Sequence, residues 1–444
     1  MHISLKKVYE NFLLTLEKWL VFLTVGGFIG GVLLGRSSPA FTDWVNGSVE
    51  GFVGGYGYIA PVAIFLIMCP SLVSMFKSKA LGRFGIFAIW WAFVRKIFAC
   101  VWAAIFTVVV FQFPILPQHS ASIGDAIAQT FQSLLHMMAT SPYFWAMYIS
   151  VAIACLASRV PFLSKILEKL LQAVEVGGRW FMPFIPLFML AIGGYVYGLP
   201  ANLAEQIEFQ EGMENALQPF YVLGLQFNPK SPFGMIWIYV FGSLLVGICC
   251  FIWHCALLIL TKIRVKRFSI RSYFKDYWIK IYPLLWSTSS EALATPLNLY
   301  LTKRYAPWVD RVVRRFVVGL GSYMNINGTL ICVIVLGGIV FRIIGYQVSL
   351  IEWLLLIPVV VLISYGMPGI PGELVLFAGP IATMLNLPEA IAPTFLAVYI
   401  GLQIGLPDSF RTGNNSTDNF VFAILLNDIY EKKFKVEGED LDAE

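Results

Sequence analysis

Long runs of apolar residues recur along this chain and limit the folds that are open to it. Residues 19–35, 234–261 and 316–344 are each long enough, as helices, to cross the hydrocarbon core of a bilayer. The 444 residues are 58% apolar and only 13% charged, whereas soluble domains have roughly 25% charged residues. A large soluble protein with many buried helices is the alternative. The composition predicts an all-α polytopic membrane protein.

Basic residues form clusters between the apolar runs, and the loops at about 113–140 and 199–230 contain few cations. The positive-inside rule therefore predicts cytoplasmic basic clusters, cytoplasmic N- and C-termini and outward-facing cation-poor loops. We expect a multi-pass protein of the plasma (inner) membrane. Nucleic-acid binding is the rival explanation of such clusters, but they are scattered between spans, so no nucleic-acid partner is expected.

Charges and turn residues divide the apolar regions into eight predicted crossings. They lie near residues 19–36, 52–76, 84–112, 141–160, 178–198, 232–262, 315–345 and 391–428. Two further apolar stretches, 281–302 and 353–386, are interrupted in the middle by polar residues 287–291 and by the Gly/Pro-rich segment 366–373. Irregular backbone at membrane depth is tolerated where protein or a cavity covers it.

The two interrupted stretches predict a pair of re-entrant hairpins of opposite topology. Basic clusters flank 281–302 on both sides, whereas 353–386 has almost no basic residues nearby. Interrupted helices in matching positions are typical of the inverted repeats of transporters. Two helices that are merely kinked by proline are the alternative.

The last apolar region carries a polar helix face. Asp408, Arg411, Thr412, Asn415 and Asn419 are spaced i, i+3, i+4, i+7 and i+11, which places them on one side of a helix. A charge inside a bilayer is expensive, so it pairs with another group or serves a site. A structural ion pair between Asp408 and Arg411 is the simpler interpretation, and a binding face is the other.

A second polar interruption lies in the predicted span 315–345. Asn325, Asn327 and Thr329 occur there, with Gly328 between the last two. Asparagine and glycine weaken a helix and free backbone carbonyls, which are suitable ligands for Na⁺ or for the ammonium group of a substrate. An Asn-Gly turn without a binding role is the alternative.

These motifs together resemble the dicarboxylate/amino acid:cation symporter family, the glutamate transporter group. The serine-rich tip at 287–290, the Asn-Ile-Asn-Gly-Thr segment 325–329, the Gly/Pro-rich tip 366–372 and the helix pattern 408–419 are similar to four family motifs, in the same order. The resemblance implies eight transmembrane helices plus two re-entrant helical hairpins, an elevator mechanism and a homotrimer in the lipid bilayer.

The resemblance also implies a division of the chain. Scaffold helices 1–2 would lie in residues 1–83 and scaffold helices 4–5 in residues 141–230. The transport domain would comprise helix 3 with an outer loop, residues 84–140, and residues 231–428. Residues 429–444 would form a cytoplasmic tail. The implied function is secondary active symport of an acidic amino acid, glutamate or aspartate, and not catalysis. A C4-dicarboxylate transporter, an uncoupled facilitator and a non-transporting receptor are the alternatives.

The resemblance assigns roles to individual residues. Asp408 would bind the substrate ammonium, Arg411 the side-chain carboxylate and Asn415 the α-carboxylate. The presence of an aspartate at the ammonium position favours an amino acid over a dicarboxylate. The full substrate-binding set implied by the resemblance is Ser289, Ser290, Thr329, Gly372, Asp408, Arg411, Thr412 and Asn415.

The cation sites of the family are altered in this chain. Asn327 and Asn419 stand where relatives have sodium-binding aspartates, and Arg95 lies inside an apolar span. We therefore expect sodium coupling to be weakened, lost or replaced by protons, with no other cofactor. A surface-reaching Arg95 beside intact sodium sites is the alternative. The implied cation-site positions are Gly321, Tyr323, Asn325, Asn327, Ser364, Asn415, Asn419 and Arg95.

Two carboxylates, Glu291 and Glu373, lie at the predicted hairpin tips, where the family commonly has small residues. A carboxylate in a closing gate is a candidate for proton coupling. Exposure of both carboxylates to solvent, without a coupling role, is the alternative.

Overall fold

The described part of the chain consists of several segments separated by gaps. The computed structural model describes residues 5–48, 83–117, 142–167, 185–208, 217–289, 291–319, 325–366, 374–385, 391–403 and 405–434, with single residues and short pieces at 62–76, 132–140, 169–170, 321 and 387–388.

Helices dominate the described residues. The helices that precede the first interrupted stretch are α1 Leu5–Ser37, α2 Arg83–Phe111, α3 Pro142–Arg159, α4 Ile185–Glu208 and α5 Pro232–Arg264. From the first interrupted stretch onward, the helices are α6 Ile279–Thr288, α7 Glu291–Tyr305, α8 Arg311–Val317, α9 Asn327–Ile343, α10 Leu350–Ile363, α11 Val375–Met384, α12 Ala392–Gln403 and α13 Leu406–Lys433. A helical turn at Ile270–Ser272 and a π-helix at Tyr273–Trp278 lead directly into α6.

Two helices of the described residues, within α2 and α5, are long and apolar enough to cross a membrane. Large apolar side chains on α2 point away from the protein, among them Ile86, Trp90 and Val109. An exposed apolar surface of this kind is typical of contact with lipid or with another protein. The opposite side of α2 carries Arg95 and Lys96, and both side chains are buried.

The two predicted interruptions are present. Helix α6 ends at Thr288, and Ser289 then adopts left-handed backbone angles, φ 47° and ψ 29°, before α7 begins at Glu291. Helix α10 ends in a short 3₁₀ turn at Ser364–Gly366, and α11 begins at Val375. The predicted tip of the second hairpin, residues 367–373, lies outside the described residues.

Three predicted boundaries are wrong. The span 391–428 is two helices, because Gly405 has a positive φ of 91° and Pro407 then occupies the first turn of α13, a break that glycine permits and proline favours. The predicted helix 315–345 is also divided: α8 ends at Val317 and α9 begins at Asn327. The first helix starts at Leu5 rather than near residue 19.

A short β-hairpin lies in one of the cation-poor loops. Strands β1, Phe220–Val222, and β2, Leu225–Phe227, pair antiparallel. Leu223 and Gly224 connect them, both with positive φ, as two-residue hairpin turns require. This hairpin is a small departure from the all-α prediction.

Helix α9 lies at the centre of the protein and packs against α2, α5 and α13. Its side chains are almost all buried, and so are those of α13 from Pro407 to Ile424. The polar residues predicted from the sequence therefore lie where these helices meet.

Candidate functional site

The five polar residues predicted to share a face of the last helix are all buried on α13. Asp408 lies in the first turn and its Oδ1 is 2.6 Å from Arg411 Nε. Arg411 also donates through Nη1 to Thr329 Oγ1 at 2.9 Å. The hydroxyl of Thr412 is buried and has no hydrogen-bond partner among the described residues.

Asn415 joins α13 to the beginning of α9. Its Oδ1 accepts hydrogen bonds from the backbone N–H groups of Gly328 at 2.5 Å and Thr329 at 3.2 Å. The first N–H groups of a helix lack partners within the helix, and here Asn415 provides one. Its Nδ2 donates to Thr329 Oγ1 at 2.8 Å. Thr329, Arg411 and Asn415 therefore form one connected group. We call these three residues, together with Asp408 and Thr412, the substrate face, after the role that the resemblance assigns to them.

Glycine at position 328 permits this close approach. A Cβ on Gly328 would lie 2.5 Å from the backbone oxygen of Arg411 and 2.8 Å from Asn415 Oδ1. Any side chain there would push α9 away from α13.

The first hairpin also reaches the substrate face. Glu291 is fully buried, and its Oε1 accepts a hydrogen bond from Asn415 Nδ2 at 2.8 Å. Ser289 Oγ lies 3.2 Å from the hydroxyl of Ser409. Two of the residues assigned to substrate binding, Ser290 and Gly372, lie outside the described residues, as does Glu373.

Arg95 and Asp418 form a buried ion pair close to the substrate face. Arg95 Nη2 lies 2.6 Å from Asp418 Oδ1, and the guanidinium carbon is 4.1 Å from the centre of the Phe422 ring. Asp418 and Phe422 are four residues apart, so the same face of α13 provides a carboxylate and an aromatic ring to one cation. The arginine points into the protein, contrary to the alternative in which it reaches the surface.

Two asparagines donate to the other oxygen of this carboxylate, and a third is bonded to one of them. Asp418 Oδ2 accepts hydrogen bonds from Asn327 Nδ2 at 2.7 Å and Asn325 Nδ2 at 3.3 Å. Asn325 Nδ2 also donates to Asn419 Oδ1 at 2.8 Å. We call Asn325, Asn327 and Asn419 the amide cluster. Gly321 packs against Asn419, since a Cβ on this glycine would lie 2.2 Å from Asn419 Cγ.

Lys96 brings a second buried cation to another predicted cation-site position. Its Nζ donates to Ser364 Oγ at 2.9 Å and lies 3.4 Å from the centre of the Tyr365 ring. Both partners follow the last turn of α10. Tyr323, which was also assigned to a cation site, is outside the described residues.

The polar face of α13 was predicted from the sequence, but two buried charged residues near it, Asp418 and Lys96, were not among the predicted site residues. Asp418 lies one residue before Asn419 and therefore points to a different side of α13, toward α2. Lys96 was not included among the predicted residues. A signal was present in the sequence, because two cations inside an apolar span require counter-charges or acceptors, and acidic residues are scarce in the apolar regions.

No group of three or more histidine, cysteine, aspartate or glutamate side chains that could hold a metal ion occurs among the described residues. The polar groups at the site are carboxylates, amides, hydroxyls and guanidinium groups. They are suited to binding a charged organic molecule, and less so to holding a transition metal, for which imidazole and thiolate are the usual ligands.

Comparison with known proteins gives the family of this region. Residues 213–429 match the model of the sodium:dicarboxylate symporter family. The serine/threonine transporter SstT of Bifidobacterium adolescentis is 23% identical over 429 residues, covering 91% of this chain and 88% of that protein. The SstT of Acinetobacter baylyi is 27% identical over 140 residues, which cover 32% of this chain and 34% of that protein.

The family match covers the helices from α5 to α13 that carry the substrate face, the amide cluster and Asp418. Proteins of this family are multi-pass transporters of the lipid bilayer that carry small molecules, in agreement with the apolar helices α2 and α5. The resemblance found in the sequence is thereby confirmed: over residues 213–429, this chain is similar to the sodium:dicarboxylate symporter family.

Proposed function

We propose that this protein is a secondary active transporter of an acidic amino acid, aspartate or glutamate. The observation that carries the proposal is the buried Arg411 guanidinium on the substrate face, beside Asp408 and Thr329. A guanidinium is planar and matches a carboxylate with two parallel hydrogen bonds. A buried arginine at such a position provides specific recognition of a substrate carboxylate.

Opposite charges on the substrate face match those of the substrate. The ammonium group would bind the carboxylate of Asp408, and the side-chain carboxylate would bind Arg411. Asp408 then exchanges a guanidinium for an ammonium group, and Arg411 exchanges one carboxylate for another. Neither charge is left buried and unpaired. The hydroxyl of Thr412 supports a ligand at this face, because a buried polar group normally has a hydrogen-bond partner.

A small neutral amino acid such as serine or threonine is the second candidate. Both relatives named above are serine/threonine transporters. The ion pair of Arg411 with Asp408 at 2.6 Å also allows the guanidinium to remain satisfied when the substrate has no side-chain charge. A C4-dicarboxylate is less compatible, since Asp408 would then face a substrate without a cation.

Protons are proposed to take part in coupling through Glu291. This carboxylate is buried and bonded to Asn415, the residue assigned to the substrate α-carboxylate. A substrate carboxylate and an ionised Glu291 compete for the same amide and repel each other. Protonation of Glu291 removes that repulsion, so substrate and proton would bind together.

The resemblance supplies the larger arrangement as a further part of this proposal. Residues 84–140 and 231–428 would form a transport domain that moves as an elevator against a scaffold, within a homotrimer. The family match over residues 213–429 supports this arrangement.

The substrate is tested by ligand-induced stabilisation of the purified protein. We expect aspartate or glutamate to raise the midpoint of thermal unfolding, because binding to the folded state adds about 2.7 kcal/mol at a concentration of 100 Kd. Serine, threonine, succinate and malate serve as comparison ligands. A rise with serine or threonine and none with either acidic amino acid would overturn the proposal in favour of the second candidate.

A further inference from the structure

The charge of Asp418 is compensated by a side chain of the protein. A carboxylate buried in the membrane-spanning part of a chain needs a positive partner, which can be a dissolved cation or a residue. At Asp418 the partner is Arg95, at 2.6 Å, and the Phe422 ring lies against the guanidinium. Both contacts come from one face of α13, so the arginine is fixed in place.

The ligands present do not fit a sodium ion at the same place. Hard cations gather several oxygen ligands, but most of the side-chain oxygens that the structure describes here face hydrogen-bond donors. Asp418 Oδ1 faces Arg95, and Oδ2 accepts from two asparagines. Asn325 Oδ1 accepts from Asn327 Nδ2 at 2.8 Å. Asn327 Oδ1 is buried with no hydrogen-bond partner among the described residues, and a single amide oxygen does not make a sodium site.

We propose that Arg95 is a tethered cation that replaces a dissociable sodium ion at Asp418. The protein then keeps its substrate face assembled without sodium, although the family model that its residues 213–429 match is that of sodium:dicarboxylate symporters. This inference goes beyond the proposed function, since it concerns the ion and holds for an acidic or a neutral substrate.

The ion pair and the substrate face join the same two segments. Asn327, in the first turn of α9, donates to Asp418. Two residues later, Thr329 donates its N–H to Asn415. Arg95 therefore stabilises the junction of α9 with α13 immediately beside the substrate face, which is the place where a bound cation would act.

The next residue of α2 provides independent support. Lys96 places its ammonium group 2.9 Å from Ser364 Oγ and over the Tyr365 ring. Adjacent residues of one helix thus deliver two fixed positive charges to two different segments, α13 and the end of α10.

The test is thermal unfolding of the purified full-length protein in NaCl and in choline chloride at equal ionic strength, without any amino acid. We expect the wild-type midpoint to be the same in both salts. A saturable rise of the wild-type midpoint with Na⁺, absent with choline, would overturn the proposal. Because no amino acid is present, the result does not depend on the substrate assigned above.

The Arg95→Gln variant removes the tethered cation and leaves Asp418 buried without it. We expect the midpoint in choline to fall by several degrees and to recover partly in Na⁺ or at acid pH, since either neutralises the carboxylate. A loss that neither condition reverses would reduce Arg95 to a packing residue and contradict the proposal.

Two further variants complete the test. Arg95→Lys keeps the charge, so its midpoint should be the same in both salts, even if Arg95→Gln does not fold; a rise with Na⁺ would count against the proposal. Arg267→Gln is the matched control, because Arg267 belongs to an exposed ion pair with Glu431 at 3.2 Å. The unfolding midpoint of Arg267→Gln should equal that of the wild type and be the same in both salts. A rise of its midpoint with Na⁺ would show that the Na⁺ response is not specific to the loss of Arg95.

Discussion

Arg95 and Asp418 are 323 residues apart in the chain, yet their side chains meet at 2.6 Å in the interior of the protein. The pair connects α2, which precedes the region matched by the family model, to the last helix of that region. It also sets the charge beside the amide cluster, because the carboxylate to which Asn325 and Asn327 donate is already neutralised by a guanidinium.

Removal of one member of this pair should be far more harmful than removal of both. Asp418→Asn leaves the guanidinium of Arg95 buried without its counter-charge, which typically destabilises a protein by about 3 to 5 kcal/mol. The double variant Arg95→Gln/Asp418→Asn has no buried charge at this place and should regain most of that loss. Thermal unfolding of the single and double variants measures the coupling, and additive losses would contradict the pairing.

Gly328 should tolerate no side chain. In Gly328→Ala the new methyl group would lie 2.5 Å from the Arg411 backbone oxygen, so α9 must shift away from Asn415 and the substrate face is distorted. We expect substrate binding to be lost. Isothermal titration with the stabilising amino acid measures this effect.

A glycine with open space around it provides the control. A Cβ on Gly26 of α1 would meet nothing within 4 Å. Gly26→Ala should therefore retain binding and gain up to about 1 kcal/mol of stability from the better helix propensity of alanine. Equal binding by the two alanine variants would show that the α9–α13 contact is not required.

The sequence predicted the shared polar face of α13 and the two interruptions because each depends on local pattern. Helical spacing placed Asp408 and Arg411 together, and polar residues inside an apolar run identified the break at Ser289. The Gly405 break was equally local and was overlooked. The partner of Arg95 was not predictable in the same way, because the side of α13 that faces α2 is decided by how helices pack in three dimensions.

Arg411→Gln should reverse the substrate preference. The variant loses charge-assisted hydrogen bonds worth about 1.5 to 3 kcal/mol, which lowers the affinity for an acidic amino acid about 10- to 150-fold. Affinity for serine should change much less. Displacement of a bound acidic amino acid by each of the two ligands measures the ratio of their affinities. We expect this ratio in Arg411→Lys to lie between those of the wild type and of Arg411→Gln. An unchanged ratio would mean that Arg411 does not contact the side-chain carboxylate.

Glu291→Gln should flatten the pH dependence of transport. The amide keeps a hydrogen-bonding oxygen near Asn415 but cannot exchange a proton, so uptake should vary less with pH than in the wild type. Glu431→Gln removes an exposed carboxylate from the same protein and is the matched control. An identical pH profile for Glu291→Gln and the wild type would exclude Glu291 from coupling.

The buried Arg411 is proposed to select an acidic amino acid for transport. Uptake of radiolabelled aspartate, glutamate and serine into proteoliposomes, with an imposed proton gradient and with choline or Na⁺ outside, tests it most directly. We predict concentrative uptake of aspartate or glutamate well above that of serine. Uptake of serine with no accumulation of either acidic amino acid would contradict this role of Arg411.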